Sequence, residues 1–207
     1  MTMKLTRRRG IVALAVLVLV AAWAGISYAT NTPPFKKPRG TIEASELCPS
    51  FGTSQEAADI LNRILPYATS YRFPLEEGTP RGLDHQDVDY STRCYVQGGG
   101  RLLTLRTYAT GGESEKEWQQ TVRDIVFSGP AEPFDAGRWA FTTSTRKAAA
   151  VYSACLSDPD TDLSTYIKLR DPAPADHLDD LRRLAEIAAE QAHEDARCTV
   201  PADTPKK

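Results

Sequence analysis

Residues 88–109 read VDYSTRCYVQGGGRLLTLRTYA. Val88, Tyr90, Thr92, Cys94 and Val96 alternate with Asp89, Ser91, Arg93, Tyr95 and Gln97, the two-residue period of a strand buried on one side. Gly98-Gly99-Gly100 supplies a turn, because glycine tolerates positive φ. Leu103, Leu105, Thr107 and Ala109 line the returning strand. This is a β-hairpin, and its apolar face needs cover from the rest of the chain.

Downstream, Gly111-Gly112 ends the hairpin and Ser114-x-x-Glu117 forms a capping box, in which hydroxyl and carboxylate satisfy exposed amides reciprocally. Trp118, Val122, Ile125 and Val126 then mark a helix. Gly129-Pro130 and Pro133 interrupt the pattern. Three strand-like runs follow, at about residues 138–145, 148–156 and 164–170, the last two joined by the acidic turn Asp158-Pro159-Asp160-Thr161-Asp162. After Pro172 and Pro174 comes a final helix with Asp176 as its N-cap. Leu178, Leu181, Leu184, Ala185, Ala188 and Ala192 make its buried side, and Asp179 pairs with Arg183 four residues on. Residues 199–207 are a polar tail expected to fray.

Upstream, Thr53 and Glu56 form a T-x-x-E box ahead of a helix whose stripe is Ala57, Ile60, Leu61, Ile64 and Leu65, ending at Pro66. Residues 69–87 read as loop. The element order is α–β–β–α–β–β–β–α. Short connections between adjacent strands argue for an antiparallel sheet, and about three helices must bury their stripes on it. That is an α+β domain.

Before the domain lies a different kind of segment. Residues 11–29 carry no charge and residues 11–20 are unbroken aliphatic, close to the ~20 residues a helix needs to cross a ~30 Å hydrocarbon core. Lys4, Arg7, Arg8 and Arg9 precede it as the basic flank that stays cytoplasmic. The expectation is a cytoplasmic segment at 1–10, an uncleaved transmembrane signal-anchor at 11–29, a proline-bearing linker at 30–45, an extracytoplasmic domain at 46–198 and the tail at 199–207. The alternative is secretion after cleavage near Ala29. Thr6-Arg7-Arg8-Arg9-Gly10-Ile11 loosely matches a twin-arginine signal, but the plain positive-inside flank explains it. Lys36, Lys37 and Arg39 on the far side blur the charge bias.

The exported part holds 21 basic against 27 acidic residues, a net charge of −6. Without a basic block it is a poor ligand for polyphosphate, which argues against nucleic acid as a partner. All four cysteines, Cys48, Cys94, Cys155 and Cys198, follow the apolar run. An even count in an exported chain implies two disulfides, and the wide spacings lack the close pairs that zinc sites use. Four cysteines allow three connectivities.

Cys48 ahead of the first helix, Leu65-Pro66 at its end, Cys94-Tyr95-Val96 with Gly98-Gly99-Gly100 and residues 102–105, Cys155 in a late strand and Cys198 closing the last helix carry a resemblance. Over residues 46–198 the chain resembles small exported actinobacterial proteins, many of them lipoproteins, with PsbP-like α/β/α sandwich folds. It departs from the lipoprotein pattern in lacking a lipid-attachment cysteine, which leaves a helix as the anchor. The resemblance implies no established activity. It does imply Cys48 paired with Cys94 and Cys155 with Cys198, against a nested arrangement of Cys48 with Cys198 and Cys94 with Cys155.

Motifs that carry chemistry are few. Asp158, Asp160 and Asp162 have the opening spacing of a calcium loop, but Leu163 and Leu169 stand where glycine and glutamate are required, so a solvated turn is expected. His85, His177 and His193 form no metal-ligand spacing. There is no Gly-x-Ser-x-Gly elbow, P-loop or dinucleotide fingerprint. Trp118, Trp139 and Tyr152 read as core. The sequence therefore names no catalytic residue, cofactor or metal ligand. It points to a membrane-tethered extracytoplasmic domain that binds a partner protein, envelope component or small ligand. An exported hydrolase with a site assembled from distant residues, and a structural subunit of an envelope complex, are the alternatives.

Overall fold

A computed structural model of the chain describes residues 3–29, 37–74, 90–126, 129–157 and 160–204, and the side chains of residues 3–15, 157 and 160 lie outside the description. The chain divides into two units, Met1–Arg39 and Gly40–Lys207.

The first unit is built on one helix, α1 (Met3–Ala29). Val16, Leu17, Val18, Leu19, Val20, Trp23 and Ile26 are exposed along it. The expected span at 11–29 is not upheld: among the described residues no helix is long and apolar enough to cross a membrane.

In the second unit a six-stranded antiparallel sheet runs in the order β1-β2-β6-β5-β4-β3. Its strands are β1 (Ser91–Gln97), β2 (Arg101–Thr110), β3 (Ala131–Pro133), β4 (Trp139–Thr143), β5 (Ala148–Ser157) and β6 (Asp160–Leu169). Three helices pack on it: α2 (Gln55–Ile64), α3 (Glu115–Val126) and α4 (Leu178–Asp195). The fold is α+β, as the sequence pattern implies.

The β1–β2 hairpin follows the alternation read above. Tyr90, Thr92, Cys94 and Val96 are buried, and Gly99 and Gly100 take positive φ in the turn. Val88 lies outside the described residues. With Leu103, Leu105, Ala149, Val151, Ile167 and Leu169 this face makes the larger core, covered by α2 and α4. On the opposite face, Trp118, Val122 and Val126 of α3 cover Phe141, Ala150, Tyr152 and Tyr166. Ile125, expected in that stripe, is 48 % exposed.

Several local expectations are corrected. Strand β3 falls where the sequence shows only the break at Gly129-Pro130 and Pro133; Pro133 removes a ladder donor and only three residues pair. Ser54, not Thr53, caps α2, its hydroxyl accepting from Ala57 N at 3.1 Å. Glu56 is thereby left for Arg183 on α4. The Ser114–Glu117 box forms as expected. Helix α4 begins at Leu178 after a 3-10 turn at Ala175–His177, so Asp176 is not its cap. Asp179 pairs with Arg182 rather than Arg183. The domain also starts earlier than residue 46: Gly40 N donates to Ala68 O, and Asn62 brackets Ile42 by bonding both its N–H and its carbonyl at 2.9 Å. The linker reading thus stops at Arg39, and residues 30–36 lie outside the described residues.

Both disulfides join Cys48 to Cys94 and Cys155 to Cys198, and no described cysteine is free. The second anchors the tail. Thr199 N donates to Cys155 O at 2.8 Å, Ala154 N to Ala202 O at 2.9 Å, and His193 Nε2 to Val200 O at 2.9 Å. The tail is therefore held through Thr204 instead of fraying from 199.

Candidate functional site

Three places bring chemistry-bearing side chains together, and the first is sealed under α3. Asp162 belongs to strand β6 and is fully buried, so the solvated-turn reading is wrong at this position. Its Oδ2 accepts from Arg138 Nη1 at 3.0 Å and from the Tyr152 hydroxyl at 2.8 Å. Arg138, itself almost buried, also donates through Nε to the Thr204 carbonyl at 2.6 Å. Burial, followed by the neighbouring Asp162 carboxylate, pushes the Tyr152 hydroxyl far up, so it stays protonated. Asp162 Oδ1 has no hydrogen-bond partner among the described residues.

Aromatic packing fixes this cluster. Trp139 stacks on Tyr152 with centroids 4.8 Å apart, and Trp118 meets Tyr152 and Phe141 edge-on at 5.3 and 5.1 Å. The Trp118 indole donates to Ser164 Oγ at 2.9 Å. Trp118 and Tyr152 are core, as the sequence implied, and Trp139 is half-buried against them. Ser164 has no described histidine to activate it. His177 bonds Asp180, and His193 bonds the Val200 carbonyl. His85 lies outside the described residues, as do Asp158 and the side chain of Asp160.

The second place is the part of the same sheet face on β1, β2 and the near end of β6. Register puts Arg93 directly opposite Arg106, and Thr104 between Tyr95 and Lys168. Arg101 lies over the Tyr95 ring at 4.0 Å and Arg106 over Tyr108 at 5.1 Å. Arg106 Nε is buried with no partner among the described residues. Beside this area, at the C-terminal end of α3, a cavity of about 420 Å³ is lined by Thr143, Thr145, Lys147, Lys168 and Arg170, with Asp124 as its acid.

A third cleft, about 330 Å³, opens between α4 and the strands on the other face, where Glu186, Glu190, Glu194 and His193 meet Gly137 and Ser153. Arg183 holds Glu186 at 2.8 Å and Glu190 at 3.5 Å, so part of that charge is already compensated. Among the described residues no group of three His, Cys, Asp or Glu could hold a metal ion.

Sequence reading located the cysteines and the aromatic core, but it missed Asp162, Arg138 and the arginine face. Parity offered the one usable signal: Asp162, Ser164 and Tyr166 share a strand face, as do Arg93 and Tyr95. Compared with known proteins, the chain matches no family model, no curated protein and no solved structure.

Proposed function

We propose that this chain is a membrane-tethered extracytoplasmic domain that works by binding and not by catalysis. One observation carries the reading. Several described groups that could do chemistry are engaged within the fold: four cysteines in disulfides, Ser164 beneath the Trp118 indole, and Asp162 between Arg138 and Tyr152. The cations at the open sheet face and cavity, by contrast, form no ion pair among the described residues.

The tether rests on the uncharged run 11–29, the basic residues ahead of it, and the exposed aliphatic side chains of α1, which lipid would cover. Two disulfides fit an oxidising compartment outside the cytoplasm.

The test has two parts. In fractionated host membranes, the intact chain should resist carbonate extraction while its C-terminal end is open to protease added from outside. In detergent, the purified chain should show ligand-dependent melting shifts and no turnover of ester, peptide or glycoside substrates. Turnover that disappears on Ser164→Ala would overturn the binding reading in favour of a hydrolase.

A further inference from the structure

We infer that the arginine face of β1–β2, together with the adjoining cavity, is a binding site for phosphoryl-bearing anions. This rests on the binding reading above and names its ligand class.

The register makes the first argument. Arg93 and Arg106 are directly opposed across an antiparallel ladder, an arrangement that costs stability when nothing lies between the charges. Lys168 stands opposite Thr104, diagonal to Arg106 on the same face. Local choices that work against the fold are expected where a site is being built.

Desolvation makes the second. Arg106 Nε is a buried donor with no acceptor among the described residues, and buried donors are normally satisfied. An anion seated on this face would supply the acceptor.

The third argument is the concentration of charge. Arg93, Arg101, Arg106, Lys147, Lys168 and Arg170 gather on one side of a domain whose net charge is negative. Among the described residues none of the six forms an ion pair. Only Asp124 opposes them in the cavity. Tyr95 and Tyr108 lie beneath Arg101 and Arg106, which orients the guanidinium planes and leaves their edges to donate outward.

Two opposed forks with lysines alongside suit a tetrahedral dianion, whose three terminal oxygens accept from several donors at once, better than a carboxylate, which one fork satisfies. A phosphoryl group can come from a free phosphometabolite, as a monoester dianion, or from a lipid headgroup, whose phosphodiester offers two terminal oxygens and one charge to the same donors.

The experiment uses the full chain in detergent at constant ionic strength, titrated with inorganic phosphate and pyrophosphate, with chloride as control. A second arm places it in nanodiscs of phosphatidylglycerol or phosphatidylcholine. We expect the melting temperature of the domain to rise with phosphate or pyrophosphate, with phosphatidylglycerol over phosphatidylcholine, or with both. Arg93→Gln/Arg106→Gln should weaken the response at least tenfold, as should Lys168→Gln, while Lys116→Gln on the exposed side of α3 leaves it unchanged. The double variant without ligand should melt no lower than the parent, because it relieves a repulsion; a purely structural role would lower it. Response to phosphate assigns a free ligand, and response to phosphatidylglycerol alone assigns a headgroup. No response in either arm, or one that survives Arg93→Gln/Arg106→Gln, overturns the inference. A melting shift with an uncharged compound in that case leaves the broader binding reading standing.

Discussion

Tyr152 donates its phenolic proton to Asp162 Oδ2 at 2.8 Å, on the one face of the β5–β6 ladder that α3 seals from water. The same oxygen takes Arg138, so this buried carboxylate depends on two donors, Tyr152 on β5 and Arg138 just ahead of β4. Such pairs are weak evidence of net stability, because desolvation offsets most of the attraction, but breaking one side is costly.

Arg138→Met leaves Asp162 buried without its cation and should cost about 3–5 kcal/mol in urea unfolding. Adding Asp162→Leu to the same chain should recover most of that loss, since neither charge then remains. A single-variant loss below about 1 kcal/mol would show that water reaches the cluster.

Cys155→Ser/Cys198→Ser should lower stability by about 2–5 kcal/mol. Hydrogen exchange should localise the change: the amides of Thr199 and Ala154, which bond across the tail, lose protection, while those of the β1–β2 hairpin keep theirs. Equal loss of protection in both regions would contradict a local anchoring role.

Asp180 gives a pH-dependent test. The Arg63 hydrogen bond, with His177 behind it, holds its carboxyl below the ordinary value of 3.8. A depressed carboxyl contributes stability that is present above the unfolded value and disappears as pH falls through the folded one. Asp180→Asn should therefore be less stable than the parent from pH 7 down to about pH 4, by about 1 kcal/mol or less given the exposed Arg63. Below that the two curves converge. Asp179→Asn, in contrast, removes a side chain that is 93 % exposed and should cost less than Asp180→Asn at pH 7.

Gly137 is required by both conformation and space. Its φ is +52°, and an added Cβ would sit 2.6 Å from the Tyr152 carbonyl oxygen, a backbone atom that cannot swing away. Gly137→Ala should cost more than about 1 kcal/mol. Gly99→Asn, at positive φ in open space, should cost less, as asparagine tolerates the left-handed region. Thermal melts of the two variants make the comparison.

Much of the architecture could be read from local pattern. The hairpin at 91–110 announces itself by its two-residue period, and Ser114 with Glu117 by capping chemistry, because both signals lie within a few residues of one another. The anchoring of Ile42 by Asn62 was invisible, since a side-chain amide imitating a strand partner leaves no periodic trace. Asp162 was misread for a related reason. A run of Asp-Pro-Asp-Thr-Asp has the composition of a turn, and the arginine that draws its last member into the interior is 24 residues away. The arginine face lay between these cases. That Arg93 and Arg106 leave the apolar face follows from parity, but only the register shows that they confront each other.

The two sulfur bridges are consecutive along the chain: Cys48 with Cys94, then Cys155 with Cys198. During N-to-C synthesis the first partner pair is therefore complete before the second begins to emerge. A nested arrangement would have kept Cys48 waiting for the last thiol made. With a vectorial order of closure, an oxidase acting on the nascent polypeptide reaches the native connectivity by forming bonds in turn, and no mispaired thiol has to be reshuffled by an isomerase.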